Sequence, residues 1–528
     1  MIPTLLCDAY KLSHPRQYPS GTEFVYSNTT ARSSRMDGVD EVIVFGIQYL
    51  VEKYLIKGWT ENFFTRPKDE VIPEFQRVCE NYLGKGAVDP TLFADLHDLG
   101  YLPLKIKALP EGTRCPVQVP FMTITNTDSR FFWLTNFVET LTQTVIWQAI
   151  TSATIADQYK RLLVSYAEKT SSCPDFVQWQ GHDFSMRGMS SVETGSVSGA
   201  AHLLSFTGTD TITAISFLEE YYGANIESEL IAGSVSATEH ATMCAGGCEN
   251  EFETYDRLIS EIYPSGIVSI VSDTWDYWNT ITNILPSLKE KIMSRDGKVV
   301  IRPDSGDPVK IVTGYFPKSI PMSSEKYLSM RSTISNHSKI WDEDIDCVKT
   351  IDGKYFDVVG EELTEDEVKG SIQVLFEGFG GEVNSKGYAE LDPHIGLIYG
   401  DSITLDRCEQ ICNRLERKGF ASTNVVFGIG SYSYQYNTRD TFSIACKATH
   451  VVINGQPKAI FKDPKTGSGK KSAKGLLSVV SGLTGLSLLN DCTPEEEASG
   501  LLRTVFINGE QKNRQTLTEI RGKVLSKV

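Results

Sequence analysis

A chain of 528 residues is several times the usual length of one domain, so two closely packed domains with substantial cores are expected. Its 41% hydrophobic and 10% aromatic content supplies the apolar area that a disordered chain lacks, which excludes a chain without a folded core. The net charge of −16 excludes a surface that attracts nucleic acid or anionic lipid without specificity, so local basic groups must meet any phosphate that binds. Eleven cysteines lie scattered without paired spacing, and no charged segment followed by an apolar one opens the chain. That pattern fits reduced thiols in a cytoplasm and gives no support for zinc. No apolar run approaches the roughly 20 residues of a membrane-spanning helix, so a soluble protein is expected.

In chain order, the first clear signal is Leu104 to Asn126, where apolar and polar residues alternate around Pro110-Glu111-Gly112 as in a β-hairpin or meander. From Phe131 to about Glu168, apolar residues recur at spacings of three and four with no internal proline or glycine, which predicts a long helix. The middle of the chain then changes character. Short apolar runs end in polar or glycine-rich turns: Ile267 to Val271 before Ser272-Asp273, Val299 to Ile301 before Arg302-Pro303-Asp304-Ser305-Gly306, Ile395 to Tyr399 before Gly400-Asp401, and Val425 to Phe427 before Gly428-Ile429-Gly430. Continuous apolar runs suit parallel strands buried on both faces, and polar groups at their C-terminal ends suit the site-bearing rim of an α/β barrel.

From about Ile311 to Glu382 the chain is rich in acids, including Asp342, Glu343, Asp344, Glu361, Glu362, Glu365, Asp366 and Glu367, and reads as a solvated insertion rather than a metal site. Further on, Asn454-Gly455 and Asn508-Gly509 each sit beside β-prone residues as hairpin turns do. The expected organisation is therefore a β-rich domain from residues 1–180 and 441–528, and an irregular α/β barrel from residues 181–440 that carries the insertion.

Two apparent phosphate motifs fail. Gly378-Phe379-Gly380-Gly381 lacks the dinucleotide spacing, and Gly467-Ser468-Gly469-Lys470-Lys471-Ser472 misses the P-loop register. The second remains a basic turn in which Lys462, Lys470, Lys471 and Lys474 either meet an anion or simply face water.

Asp8-Ala9-Tyr10-Lys11-Leu12-Ser13-His14 near the N-terminus resembles the opening of the nicotinamide phosphoribosyltransferases. The resemblance continues in order through His182-Asp183-Phe184-Ser185-Met186-Arg187-Gly188, Phe206-Thr207-Gly208-Thr209-Asp210, Ala237-Thr238-Glu239-His240, Ser272-Asp273, Ile301-Arg302-Pro303-Asp304-Ser305-Gly306, Gly400-Asp401, Thr438-Arg439-Asp440 and Phe461-Lys462-Asp463-Pro464. It implies a type II phosphoribosyltransferase fold, a homodimer with two shared active sites, and transfer of phosphoribosyl from 5-phosphoribosyl-1-diphosphate to nicotinamide.

By that resemblance, Arg187 and Arg302 come from one subunit and Arg32, Arg439, Lys447 and Lys462 from its partner, together meeting the substrate's phosphates. Asp304 and Asp401, with Asp273 a weaker member and Gly400 beside them, accept from ribose hydroxyls or position Mg²⁺ on the diphosphate; helix N-capping is the alternative use of such aspartates. Gly430 and Ser431 cradle the 5′-phosphate. The resemblance also implies a base sandwiched between Phe184 and the partner's Tyr10, with Asp8 and Arg187 nearby, although without the motifs both rings read as core residues. Asp210 then selects the amide, because its carboxylate accepts from the nicotinamide NH₂ and repels nicotinate. His240, read alone, is a core histidine. Within the motif it is the residue that takes a phosphoryl group from ATP, an optional co-substrate.

Two departures from the family stand out. Gly428-Ile429-Gly430-Ser431-Tyr432 replaces a Gly-Ser-Gly-Gly-Gly turn, so Ser431 and Tyr432 are expected to reshape the 5′-phosphate cradle. Trp179 stands where the family often has tyrosine. Nicotinate phosphoribosyltransferase is the alternative reading within the fold, and a non-catalytic binding protein the alternative outside the chemistry. Spacing alone supports only a phosphate-binding α/β-barrel enzyme.

Overall fold

The computed structural model describes residues 1–334, 345–462, 473–482 and 485–526. Asp342, Glu343, Asp344 and the Gly467–Ser472 turn with Lys470 and Lys471 lie outside the described residues.

The middle of the chain forms seven strands: β1 (Gly181–Asp183), β2 (Gly208–Thr209), β3 (Ser236–Ala237), β4 (Ser265–Val271), β5 (Asp296–Arg302), β6 (Ile395–Tyr399) and β7 (Val425–Ile429). They pair in the order β2-β1-β7-β6-β5-β4-β3, and every neighbouring pair is parallel. A further parallel bridge between Gly208 and Gly233, just before β3, joins the two edges. The Thr209 N–H donates to the Gly233 carbonyl at 3.1 Å and the Gly233 N–H to the Thr207 carbonyl at 2.8 Å, so the sheet closes into a barrel. Val268, Ile270, Val299, Ile301, Ile395, Leu397, Val425 and Phe427 share one buried core with the surrounding helices, and the apolar positions between them, such as Val300, Ile398 and Val426, face the barrel interior.

A second sheet is antiparallel throughout. Its order is Gln456–Ala459, Ala445–Ile453, Thr22–Thr30, Pro120–Asn126, Leu104–Ala108, Arg503–Ile507, Glu510–Gln511, so strands from the two ends of the chain lie side by side. Asn454 and Gly455 have φ of 48° and 70°, and Asn508 and Gly509 have 51° and 83°. Both hairpins thus close through two left-handed residues, as the right-handed strand twist favours.

The expected long helix is α1, Glu139–Thr170, which the short helix Leu134–Phe137 precedes. At 32 residues it spans roughly 48 Å at 1.5 Å per residue. Its first half buries Leu141, Ile146 and Ile150 in the core of the antiparallel sheet, and its second half buries Ile155, Tyr159 and Leu163 in the barrel core.

The acidic stretch is more ordered than its charge implies. A four-stranded sheet (Pro317–Ser319, Cys347–Lys349, Tyr355–Asp357, Glu362–Leu363) encloses a small core of Ile320, Tyr327, Val348 and Phe356. The following helix Ser371–Phe379 buries Ile372, Leu375 and Phe379 in the barrel core, so its sequence belongs to the barrel layer; the acids occupy the outward faces.

Glu111, in the turn between Leu104–Ala108 and Pro120–Asn126, is 4% exposed. Its carboxylate accepts from the Gly46 N–H (3.0 Å), the Gln48 N–H (2.6 Å) and the Tyr222 hydroxyl (2.9 Å), tying the N-terminal segment to a barrel helix. Burial pushes this carboxyl from 4.5 up to about 7 against those hydrogen bonds. The folded state therefore holds the proton more tightly than the unfolded state. That contribution is complete below pH 4.5 and disappears as pH rises through about 7. Chemical denaturation from about pH 5 to pH 8 should show the wild type losing on the order of 2–3 kcal/mol more stability than Glu111→Gln. Parallel pH profiles would refute the assignment.

Candidate active site

Side chains alternate along a strand, so residues two apart share the barrel interior. His182 and Phe184 at the end of β1, Lys298 and Arg302 on β5, and Ser269 on β4 all line a cavity of about 560 Å³, while Asp183 is buried on the other side of β1. The cavity reaches the rim where the strands end.

At the rim beside β1 and β2, the Phe184 ring meets the His182 ring with centroids 4.7 Å apart. His182 Nε2 lies 2.9 Å from Oδ1 of Asp210, and the Ser234 hydroxyl donates to the same oxygen at 2.5 Å. Burial works to raise the Asp210 carboxyl, but these two hydrogen bonds hold it below the usual carboxylate range. Asp210 is therefore an ionised acceptor at neutral pH, beside an aromatic face and inside the cavity lining. Phe184 also packs so closely over Gly428 that a Cβ there would lie 2.8 Å from its ring.

Across the rim stands an acid cluster. His240 Nε2 lies 3.1 Å from Oδ1 of Asp273, and Oδ2 of Asp273 accepts the Asp304 N–H at 3.0 Å. Burial acts to raise Asp273, yet hydrogen bonds from Ser305, Asp304 and His240 keep it low. Arg302 donates to the Thr238 carbonyl at 2.7 Å and has its Nε 3.5 Å from Oδ2 of Asp304. Oδ1 of Asp304 is buried without a protein donor. Burial raises that carboxyl, Arg302 offsets part of the rise, and Asp273 and Asp401 add to it. A Cβ on Gly400 would overlap Oδ1 of Asp304, so only glycine leaves room for the carboxylate and a ligand on it. An unpartnered oxygen among converging acids fits a hard cation such as Mg²⁺ shared with a phosphate-bearing ligand. Among the described residues, no group of three or more His, Cys, Asp or Glu side chains forms a protein-only metal cage.

Other sequence-expected residues lie elsewhere. Arg187 is exposed on the Met186–Gly188 turn, outside the cavity lining. Gly430 precedes the short helix Ser431–Tyr434, and Ser431 packs against Gly188. Tyr432 is 61% exposed and stacks on Tyr436, beyond the end of that helix, with ring centroids 5.0 Å apart. Asp8, Tyr10, Arg439 and Lys447 gather around the first turn of α1, and Arg32 lies beside Ser443, to whose carbonyl its Nε donates at 3.1 Å. Lys462 is exposed. None of these six lines the cavity of the same chain. Sequence reading missed His182, Ser234 and Lys298; strand alternation back from Arg302 would have found Lys298.

A closed parallel barrel with an acid- and arginine-bearing rim over an aromatic cavity defines an α/β-barrel enzyme that handles an anionic substrate. Residues 179–510 match the Nicotinate phosphoribosyltransferase (NAPRTase) family, and residues 3–88 match the Nicotinamide phosphoribosyltransferase, N-terminal domain. A nicotinamide phosphoribosyltransferase of Acinetobacter baylyi is 47% identical over 97% of this chain and 95% of its own length, and one of Mycoplasma pneumoniae 32% identical over 89% and 94%. The solved nicotinate-nucleotide pyrophosphorylase of Pyrococcus furiosus shares the fold, with a TM-score of 0.51 at 13% identity across 99% of this chain and 95% of that one. The chain belongs to the nicotinamide phosphoribosyltransferase family.

Proposed function

We propose that the protein carries out its family's reaction: it joins nicotinamide to the phosphoribosyl group of 5-phosphoribosyl-1-diphosphate, releasing nicotinamide mononucleotide and diphosphate in NAD salvage. The observation that carries the choice of base is Asp210, an ionised carboxylate beside the Phe184 ring in the cavity lining. Both donors to it end on Oδ1. Oδ2 then accepts the amide N–H of nicotinamide while the pyridine ring rests on Phe184. Nicotinate would bring a second anion to the same place. Two like charges about 4 Å apart repel by roughly 1 kcal/mol in water and 4 kcal/mol at a surface-like dielectric, enough for a preference of about fivefold to about a thousandfold.

At the other end of the cavity, Arg302 meets phosphate oxygens and Asp304 accepts from the ribose hydroxyls. The pyridine nitrogen attacks the anomeric carbon as the bond to diphosphate breaks, so positive charge grows on the ribose and negative charge on the leaving group. Asp304 and Asp401 would hold a diphosphate-bound Mg²⁺, which would supply electrostatic stabilisation of that leaving group. The Asp304, Asp273 and Asp401 carboxylates stabilise the cationic ribose.

The His240–Asp273 pair supports coupling to ATP. Asp273, held ionised, keeps the proton on Nε2 and leaves Nδ1 basic. Nδ1 attacks the γ-phosphorus of ATP, an N–P bond forms as the bond to ADP breaks, and the phosphohistidine adds charge beside the substrate's diphosphate. Asp8, Tyr10, Arg32, Arg439, Lys447 and Lys462 lie outside the cavity of their own chain, which supports a homodimer in which each chain completes the other's site. All eleven cysteines are unpaired and, among the described residues, no helix is long and apolar enough to cross a membrane, which supports a cytoplasmic setting.

Asp210→Asn should lower the ratio of nicotinamide to nicotinate turnover by at least about fivefold with the fold intact; an unchanged ratio would remove Asp210 from base selection. His240→Ala should abolish ATP stimulation and acid-labile phosphate incorporation while ATP-independent synthesis persists. Persistent ATP stimulation in that variant would place the coupling elsewhere.

A further inference from the structure

The first turn of α1 holds residues from three distant parts of the chain. Glu139 pairs through Oε2 with the buried Lys11 ammonium, and its Oε1 accepts from the Gln143 amide at 2.9 Å and lies 3.7 Å from the Lys447 ammonium. Gln143, itself 8% exposed, uses its carbonyl oxygen to accept from Arg439 at 3.2 Å. Thr140, next in the same turn, donates to Oδ2 of Asp8 at 2.8 Å, and its hydroxyl oxygen accepts the Asp8 N–H at 3.2 Å. Lys11 adjoins Tyr10 in sequence and lies 5.4 Å over its ring.

We infer that Glu139, Thr140 and Gln143 are positioning residues that hold the base-facing segment Asp8–Tyr10 and the phosphate-facing cations Arg439 and Lys447 in fixed register. The inference rests on the shared-site reading above. An arginine and a lysine on flexible stems lose much of their rotamer freedom in binding a diphosphate, and a prior contact removes part of that loss. Arg439 also pairs through its other terminal nitrogen with the exposed Asp440 carboxylate at 2.8 Å, so Gln143 adds a second, uncharged anchor from α1, an amide oxygen that accepts a hydrogen bond without bringing a further negative charge. One carboxylate, Glu139, serves both the Lys11 and the Lys447 ammonium groups. Its pairing with buried Lys11 fixes the rest. The two halves of the turn divide the labour: Thr140 serves the base side through Asp8, and Gln143 serves the diphosphate side through Arg439.

Removing Glu139 strands the Lys11 ammonium, so the decisive variants leave that ion pair alone. KM for each substrate and kcat are measured for Thr140→Val, Gln143→Met, Arg439→Ala and Gln143→Met combined with Arg439→Ala, with melting temperature and dimer mass recorded for each. Gln143→Met should raise KM for 5-phosphoribosyl-1-diphosphate about tenfold and leave that for nicotinamide and kcat within about threefold, the loss expected for one hydrogen bond to a charged group. Thr140→Val should do the reverse, raising KM for nicotinamide only. The double variant should match Arg439→Ala alone. If Arg439→Ala raises KM for the diphosphate substrate while Gln143→Met does not, or if both single variants raise both KM values as melting temperature falls, the positioning role is wrong. If Arg439→Ala itself leaves KM unchanged, the shared-site reading fails and the inference goes with it.

Discussion

In a ring of parallel strands every C-terminal end lies on one rim, and this constraint organises the site. Phe184 after β1, Asp210 after β2, Asp273 after β4, Asp304 after β5 and Gly400 after β6 are far apart in sequence, yet the closed barrel puts them around one opening. The ring closes through two glycines, Gly208 and Gly233, whose backbones pair where β2 and β3 are too short to span the gap. A carboxylate cluster on such a rim is electrostatically unfavourable by itself. Asp304 shows the consequence: its carboxyl is pushed upward by burial and by neighbouring acids, and Oδ1 lacks a donor. A site that binds a cation and a polyhydroxylated substrate answers that deficit.

The second organising element is α1, because it belongs to both cores. Its barrel half fixes where the helix lies, and its first turn then fixes Asp8, Lys11, Arg439 and Lys447 relative to the barrel. One rigid helix thus sets the distance between the cluster at the rim and the cluster around Glu139. In the proposed homodimer that distance determines how two copies register, since each rim is completed by the other chain's cluster.

The sequence made the strands β4 to β7 legible because one face packs in the buried core and the other, partly apolar through Ile267, Val300, Ile398 and Val426, lines the cavity, which leaves nearly uninterrupted apolar runs. Strands β1, β2 and β3 have only two or three residues, several polar, and no periodicity can be read from them. Their functional residues were legible only through the family motifs. His182 was overlooked inside such a motif, because its role depends on pairing with Asp210 across two strands. Ser234 had no local signal, since the loop that carries it is placed by the bridge at Gly233. Charge misled in the acidic stretch, where helix Ser371–Phe379 hides an apolar face beneath a polar one.

The central claim is that one chain carries two half-sites, with Asp304 in one and Arg439 in the other. The direct measurement is complementation between the two inactivated chains, Asp304→Ala and Arg439→Ala, mixed after dissociation and reassociation. A shared site predicts that roughly a quarter of sites regain full activity in an equal mixture, because half of the dimers are mixed and each of these has one undamaged site. No recovery above the sum of the two separate variants would contradict the account and place a complete site within each chain.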